Sequence, residues 1–492
     1  MPRYRIFPSI GIARLGADER FFLGAESPGG APQELLPDGS LAPVTQFKNT
    51  GKDQIRKQGA RFHLFESNDG TTWSAANLPA GTTVTWTVRL VNKKSAVQRP
   101  DDPPIEHMRP VVPAGHEDLV IDGGSQSISG ASISSAPLVG TYKTSADNGT
   151  PFQVNVELGR LHTDAAGRLI VVGGKGMSSA PPGTPLGHSY YVNPKWHDDV
   201  SDGPVSAEIR LPAGAAPITA EGGAWVVVTP PDYAPEIACP VTLFDVIRQI
   251  GIDRGDLSAP GRPSFDLDIA PLLTRVRRLR WVHDDASWSD VRLSDPKLRS
   301  RAPADQLLRE KVRDDLVLRV EQVLKGHTDG AGPPFRFRQA QRDALDRWVA
   351  GDFDDAPAPP TAGPSADGLT RAALEGAAGQ GFCPGIEAGI IVTDPQVYEQ
   401  PFDFRISHAV LQAGDLTALM AQPWQADFVK CRDEWWPTQR PDLAFQTAND
   451  HEDWIRGSLG HLLLVQRSAR LGFIVRQGAD EVFLESERDP TL

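Results

Sequence analysis

The run Thr82-Thr-Val-Thr-Trp-Thr-Val-Arg-Leu-Val91 alternates polar residues with apolar or β-branched ones and contains the clearest strand pattern of the chain. A period of two places successive side chains on opposite faces of a sheet, so this run predicts a strand with one buried face. Similar runs, separated by glycine-rich turn signals, lie at Pro151 to Leu158, Arg168 to Gly174 and Ala224 to Thr229. Residues 1–240 are therefore expected to form a β-rich, sandwich-like N-terminal domain.

The hydrophobic period changes near residue 240. From Val241 to Ile250 the apolar residues recur at helical spacing, and residues 266–280, 304–325 and 338–349 show the same pattern. The stretch from Asp354 to Gly368 is rich in Pro, Ala, Gly and Asp and is expected to be a loop. Residues 241–492 are therefore predicted to form a mixed α/β C-terminal domain, which carries the candidate site.

Composition limits the classes of partner. The chain has 492 residues and a formal net charge of −13, which argues against nucleic acid as the main partner, because phosphate binding needs a basic surface. No run of 18 apolar residues occurs, so no membrane-spanning helix is expected, and the N-terminus has too short an apolar core for a secretory signal. Only three cysteines are present, Cys239, Cys383 and Cys431, which predicts no disulfide and a reducing, cytoplasmic location.

Five short segments between residues 5 and 442 are informative because of the order in which they follow one another along the chain. They are Arg5 to Gly16 with Phe22-Leu-Gly24, Glu157 to Gly174, Trp196 to Val205, Cys383-Pro-Gly-Ile-Glu387, and Pro423 to Phe428 with Cys431, Trp435-Trp-Pro437 and Arg440-Pro-Asp442. In this order they resemble the tryptophylquinone amino-acid oxidases, the family of the lysine ε-oxidases and glycine oxidases. Each segment alone is a weak signal, but the series resembles the family over nearly the whole chain.

The resemblance implies a protein-derived cofactor, cysteine tryptophylquinone, in which a cysteine sulfur is joined to an oxidised indole. It implies that a primary amine, from a small amine or an amino acid, is oxidised with O2 to a carbonyl product, ammonia and hydrogen peroxide. It also implies a flavoprotein that matures the cofactor. We further expect a homo-oligomer.

Two residues match the cofactor-forming positions of the family. Cys431 resembles the cross-linked cysteine, and Asp427, four residues earlier, resembles the aspartate that cross-link formation needs. A spacing of four places both side chains on one face of a helix, where a carboxylate can accept protons from a thiol and an indole. The local sequence taken alone favours a helix-capping aspartate and a plain buried cysteine, and the surrounding resemblance favours the cofactor-forming pair.

The tryptophan departs from the family pattern. The resemblance places the quinone-forming indole shortly before the strand Leu471-Gly-Phe-Ile-Val475, where this chain has Ser468. Three alternatives follow: Trp454 is the partner of Cys431, Trp435 or Trp436 is, or no tryptophylquinone forms. A serine cannot hold a dicarbonyl, so the sequence predicts that the purified protein lacks a complete tryptophylquinone. Cys431 without an indole partner would be a buried thiol or, with a lowered pKa, a nucleophile.

Other polar residues are candidates for the substrate pocket. His188, the pair Tyr190-Tyr191 and His197 precede or belong to one loop, whereas Arg405 and His408 precede the Pro423 segment. The loop Trp196 to Asp202 collects one imidazole and three carboxylates, a set that would suit Ca²⁺, Mn²⁺ or Fe²⁺. Asx turns and helix capping explain these residues equally well, so no metal is predicted. The runner-up functions are a family member without quinone and with other, metal-dependent chemistry, and a non-catalytic binding or scaffold protein.

Overall fold

The computed structural model describes residues 2–97, 109–187, 193–283 except 213, 215 and 260, 293–323, 335–357, 364–379, 389–399, 404–426, 428, 439–454, 461–478 and 481–491. Strands dominate the first half of the chain and helices the second. The first half contains β1 Arg3–Phe7, β2 Ile10–Arg14, β3 Asp18–Leu23, β4 Gln33–Leu35, β5 Leu41–Pro43, β6 Arg56–Ser67, β7 Ser74–Ala75, β8 Thr83–Asn92, β9 Ile121–Ser129, β10 Ser134–Ser145, β11 Pro151–Thr163, β12 Leu169–Gly173, β13 Ser178–Ser179, β14 His197–Asp198, β15 Ser201–Arg210, β16 Ile218–Thr219 and β17 Ala224–Thr229.

One large sheet contains all of these strands except β13 and β14, and its main path runs in the order β10-β11-β12-β6-β2-β17-β15-β8-β9. Most neighbours are antiparallel, but β17 runs parallel to β2 and β3 parallel to β6. In β8 the side chains of Trp86, Val88 and Leu90 are buried, as their alternation with polar residues predicts. The expected strand in this stretch is therefore confirmed.

The sheet curls until its first and last strands approach each other. A Cβ atom on Gly140 of β10 would lie 2.6 Å from the backbone nitrogen of Asp122 in β9, and one on Gly123 would lie 2.9 Å from Leu138 Cβ. Only glycine permits this approach, because any side chain would collide with the neighbouring strand. The N-terminal half is thus a closed-up, sandwich-like β structure.

The second half contains most of the helices and two hairpins. Its helices are α1 Leu243–Asp253, α2 Ala270–Arg278, α3 Gln306–Val312, α4 Arg319–Val323, α5 Gln339–Ala350, α6 Ala366–Glu375, α7 Gly389–Val392 and α8 His461–Arg467, with π-helical turns at Phe265–Ile269 and Arg313–Leu318. Short 3-10 turns lie at Leu279–Trp281, Pro296–Leu298, Pro303–Asp305, Pro395–Val397, Trp424–Ala426 and Ser468–Arg470, and one in the first half at Glu117–Leu119. The hairpins pair β18 Leu443–Thr447 with β19 Asp450–Asp453 and β20 Phe473–Arg476 with β21 Phe483–Ser486. The mixed fold class is confirmed.

The ends of these helices follow from their sequences. Thr242 and Asp245 form a reciprocal capping box at the start of α1, and α5 ends at Gly351, whose φ of 82° is left-handed. Helix α6 departs from the expected loop, because Ser365 caps it by accepting the backbone N–H of Gly368 at 3.1 Å. None of the described helices is long and apolar enough to cross a membrane.

One hydrophobic core joins the two halves. Its buried residues include Ile6 and Phe62 of the sheet together with Val276, Trp348 and Phe483 of the second half. The switch from strands to helices falls between Thr229 and Leu243, near the expected boundary at residue 240. Residues on either side of this boundary can therefore contribute to one site.

Candidate functional site

Trp454 lies directly after β19 and is 2% exposed. Its backbone N–H donates to the carbonyl oxygen of Asp442 at 2.9 Å. The backbone N–H of Asp442 in turn donates to the carbonyl oxygen of Val282 at 2.8 Å. The indole Nε1 is buried and has no hydrogen-bond partner among the described residues. Burying a hydrogen-bond donor without a partner costs free energy, so the buried Nε1 of Trp454 calls for a chemical explanation.

Aromatic side chains enclose Trp454. Its ring centroid lies 5.2 Å from that of Tyr233, edge to face, and 6.0 Å from that of Phe428. Phe428 lies 6.0 Å from a second buried indole, Trp424, and Tyr233 lies 5.2 Å from Phe473. We call these five residues the aromatic cluster; they exclude water from the indole.

Tyr233 connects the aromatic cluster to Ser468. Its hydroxyl donates to the backbone carbonyl oxygen of Ser468 at 2.9 Å. Burial raises the pKa of Tyr233 well above its usual range, so the phenol stays protonated and acts as a donor. Ser468 is 4% exposed and opens the 3-10 turn that follows α8. Position 468 thus holds a serine in place of the indole of the family pattern. The indole of Trp454 packs against the same tyrosine that bonds this serine.

The aromatic cluster also includes the segment that contains the cofactor-forming motif. Phe428 stands between Asp427 and Cys431 in the sequence, and its ring is covered by the guanidinium of Arg440 at 4.9 Å. Asp427, Cys431, Trp435 and Trp436 themselves lie outside the described residues. The contact between Phe428 and Trp454 brings one candidate indole to this segment.

A buried carboxylate positions the Trp424 end of the aromatic cluster. Asp198 accepts the backbone N–H of Trp424 at 2.7 Å and the Nδ2–H of Asn92 at 3.0 Å, and it forms a buried ion pair with Lys94. Asp202 accepts the N–H and the hydroxyl of Thr417 at 2.8 and 2.7 Å. The segment from Trp196 to Asp202, which contains β14 and the start of β15, thus ties the N-terminal sheet to Thr417 and Trp424.

His197 and Asp199 of the same segment are both buried. The His197 ring stacks on Tyr142 at 4.5 Å, and burial lowers its pKa to about 4, so it is neutral near pH 7. Burial, followed by the charge of Asp198, raises the pKa of Asp199 to about 7. Across the described parts of the chain, no three His, Cys, Asp or Glu side chains converge on a metal position.

Arg405 and His408 lie at a different place from the aromatic cluster. Arg405 is fully buried and donates to the carbonyl oxygens of Gly222 at 2.8 Å and Ile6 at 3.0 Å. The His408 ring packs edge to face on Trp225 at 5.2 Å. Both side chains contact the region where β17 begins, and Arg405 also binds the backbone near the end of β1. His188, Tyr190 and Tyr191 lie outside the described residues.

Tyr233 and His283 were not among the candidates from the sequence, and Phe428 appeared there only as the last residue of the Pro423 segment. His283 is 4% exposed, and its Nε2 lies 3.6 Å from Oδ2 of Asp442, the residue whose carbonyl holds the backbone of Trp454. Asp442 belongs to a quoted segment, but His283 stands alone in the sequence, so only the fold reveals the pair. Buried Cys239 points its thiol at Gln439 Oε1, 3.6 Å away.

Comparisons with known proteins cover most of the chain. A family profile described as L-lysine ε-oxidase N-terminal matches residues 7–228, and one described as L-lysine ε-oxidase C-terminal domain matches residues 334–449. The L-lysine 6-oxidase of Marinomonas mediterranea is 29% identical over 531 aligned residues, which span 87% of this chain and 70% of that protein.

Solved structures show the same fold. The crystal structure of the L-Lys ε-oxidase from Marinomonas mediterranea superposes with a TM-score of 0.78 at 22% identity, covering 99% of this chain and 95% of that one. The structure of the Schiff base intermediate of that enzyme with L-Lys gives a TM-score of 0.76 over the same shares. At this identity the superposition establishes the architecture of the chain.

Proposed function

Because the chain belongs to the L-lysine ε-oxidase family, we propose that it is an amine oxidase that uses a cofactor built on Cys431 and Trp454. The reaction converts a primary amine of an amino acid, O2 and water to a carbonyl compound, ammonia and hydrogen peroxide. One observation carries the proposal: the ring of Trp454 lies 6.0 Å from that of Phe428, which stands three residues before Cys431.

The surroundings of Trp454 suit the formation of such a group. The indole is buried, its Nε1 has no partner among the described residues, and aromatic rings cover it. A tryptophylquinone, once formed, supplies an electrophilic carbonyl and takes up the electrons of the amine. The proposed pairing replaces the indole that the family pattern places at Ser468 with one that reaches the same region from β19. The proposal therefore departs from the prediction, made from the sequence, that no complete tryptophylquinone forms.

The residues around Trp454 have distinct proposed roles. Asp427 accepts the protons released when the thiol and the indole are oxidised, since a carboxylate near neutral pH is an acceptor. His283 and Asp442 form a buried pair next to the backbone of Trp454, and we assign to this pair the role of a proton acceptor. Tyr233 fixes the orientation of the indole.

The candidates from the sequence keep proposed roles farther from the indole. His188, Tyr190, His197 and Arg405 shape the substrate pocket, Arg405 by holding the backbone of Gly222 and Ile6. His408 is proposed as a proton acceptor at the pocket. The substrate is proposed to be a free amino acid, in keeping with the L-lysine named for the similar enzyme.

Two tryptophan variants test the proposal. Trp454→Phe keeps an aromatic ring in the aromatic cluster but removes the indole, so peroxide release on addition of amino acids and the visible absorbance of the quinone should both disappear. Trp424→Phe is the matched control, because it removes a second buried indole that also packs on Phe428. Equal activity and colour in wild-type protein and Trp454→Phe would refute the role of Trp454.

Ser468 favours a second candidate function, a family member without quinone. The serine is buried, and its carbonyl oxygen is bonded by Tyr233, so the position is closed around a small side chain. Such a protein would keep the fold but neither absorb visible light nor release peroxide. Wild-type protein that is colourless and inactive after coexpression with a maturation flavoprotein would establish this alternative.

A further inference from the structure

A cavity of about 570 Å³ lies between the N-terminal sheet, helices α2 and α6, and the segment that follows Asp232. Small residues form much of its wall, including Gly11, Gly59, Ala60, Ala372, Ala373 and Gly376. Its volume is in the range of small-molecule sites. Because glycine and alanine side chains offer no polar group, the charged side chains that line the cavity determine which molecules bind.

The cavity is separate from the aromatic cluster. Asp232 and Gln439 line it, whereas the next residues in the chain, Tyr233 and Arg440, contact Phe428 on the other side. The backbone N–H of Tyr233 donates to the carbonyl of Gln439 at 3.4 Å, which joins the two segments into one wall. Trp454 does not line the cavity.

Three arginines lie at one corner of the cavity. Arg275, Arg278 and Arg476 line the cavity. Arg275 pairs with Asp245 at 3.0 Å, whereas Arg278 and Arg476 share the Oε1 atom of Glu481 at 2.9 and 3.3 Å. The three guanidinium groups are thus paired with two carboxylates, those of Asp245 and Glu481. Although burial opposes it, the hydrogen bond and charge of Arg278 lower the pKa of Glu481, so this carboxylate is ionised.

A carboxylate lies beside the arginines. Glu236 lines the cavity and accepts the backbone N–H of Arg476 on Oε2 at 3.1 Å. Its backbone carbonyl accepts Nη1 of Arg278 at 3.1 Å, which places the two charged residues side by side. No ion pair to Glu236 is present in the described part of the chain. The cavity therefore presents a cationic corner and an anionic group next to each other.

We propose that this cavity binds a small zwitterion, with its carboxylate on Arg275, Arg278 and Arg476 and its ammonium group on Glu236. Guanidinium groups recognise carboxylates through paired hydrogen bonds, and an ionised carboxylate is a strong acceptor for an ammonium group. A molecule with only one of the two charges leaves the opposite charge in the cavity without a partner. The inference does not rest on the proposed oxidase activity, because the cavity excludes Trp454.

L-Proline is a suitable probe, since it is a zwitterion with a secondary nitrogen and is not a primary-amine substrate. Pyrrolidine carries the ammonium group alone, and cyclopentanecarboxylate carries the carboxylate alone. Titration calorimetry with the purified full chain should show proline binding at least about tenfold more tightly than either analogue, as one lost charged contact predicts. Absence of proline binding, or equal binding of either single-charge analogue, would overturn the proposal.

Variants assign the binding to this cavity. Arg278→Gln and Glu236→Gln should each weaken proline binding at least about tenfold. Arg277→Gln is the matched control, because Arg277 is the neighbouring residue of α2, lies 3.6 Å from the same Glu481 and does not line the cavity. Its affinity should stay within about twofold of wild type, and circular dichroism verifies that all three variants fold. Unchanged affinity in the two lining variants would place the proline elsewhere and contradict the inference.

Discussion

The hydroxyl of Tyr233 donates a hydrogen bond of 2.9 Å to the backbone carbonyl of Ser468, while its ring lies 5.2 Å from that of Trp454. One tyrosine thus contacts both the serine at the position where the family resemblance places an indole and the indole that we propose in its place. The contact joins the segment after β17 to the turn between α8 and β20.

Tyr233→Phe tests the hydrogen bond separately from the ring. The variant keeps the aromatic packing but leaves the buried Ser468 carbonyl without this donor, so the free energy of unfolding should fall by about 1–3 kcal/mol. Urea unfolding followed by circular dichroism measures the change. An unchanged midpoint would mean that water or another group satisfies this carbonyl equally well.

Asp202→Ala should be among the most destabilising changes in the segment from Trp196 to Asp202. The carboxylate accepts Nε1–H of Trp225 at 2.9 Å and both donors of Thr417. Its removal leaves these buried donors without partners, which should lower the free energy of unfolding by at least about 3 kcal/mol. Asp202→Asn, which keeps one acceptor oxygen, is the matched control and should lose less. Equal losses in the two variants would contradict this account.

Asp199 should make stability depend on pH. Its pKa is raised to about 7 in the folded protein, mainly by burial, and an unfolded aspartate titrates near about 3.9. Between these values the folded state keeps a proton that the unfolded state has lost, so stability falls as pH rises from about 4 to about 7. Asp202, raised to about 6 by burial, adds to the fall in the lower part of this window.

The variant Asp199→Asn isolates the contribution of this residue. It imitates the protonated carboxyl, so the slope of unfolding free energy against pH should become shallower by up to about 1.4 kcal/mol per unit. Asp118→Asn, at a carboxylate 71% exposed, is the control. Identical slopes in wild-type protein and Asp199→Asn would show that Asp199 is already ionised at low pH.

The sequence was informative where local pattern determines structure. The period-two run at β8 and the capped apolar periodicity of α1 predicted their elements, because each pattern needs only its own neighbours. Helix α6 was missed, since Asp367 and Gly368 are poor helix formers and its stability comes from burial of Leu369 and Leu374.

The candidate site was only partly predictable. The family resemblance proposed the Asp427–Cys431 motif, and Trp454 was one of three alternatives for an indole that the family pattern places at Ser468. Tyr233 and Ser468 are 235 positions apart, and His283 meets Asp442 across more than 150 residues. Such pairs arise from packing of the two halves against one core, and no short-range pattern in the sequence records them.

Asp427→Ala tests whether this carboxylate serves cofactor formation. On the proposal, the variant folds but lacks the mass gain of about 28 Da expected for two oxygens gained and four hydrogens lost. Intact-protein mass spectrometry of both proteins, produced with the same maturation flavoprotein, gives the comparison. A variant with the full gain would show that Asp427 only caps a helix.

The most direct test of the central claim is peptide mapping by mass spectrometry around Cys431, Trp435, Trp436 and Trp454, with a visible spectrum of the same wild-type sample. We expect a Cys431–Trp454 cross-linked peptide bearing two added oxygens, in a coloured protein. An unmodified Cys431 thiol together with unmodified side chains at Trp435, Trp436 and Trp454, in a colourless sample, would contradict this expectation.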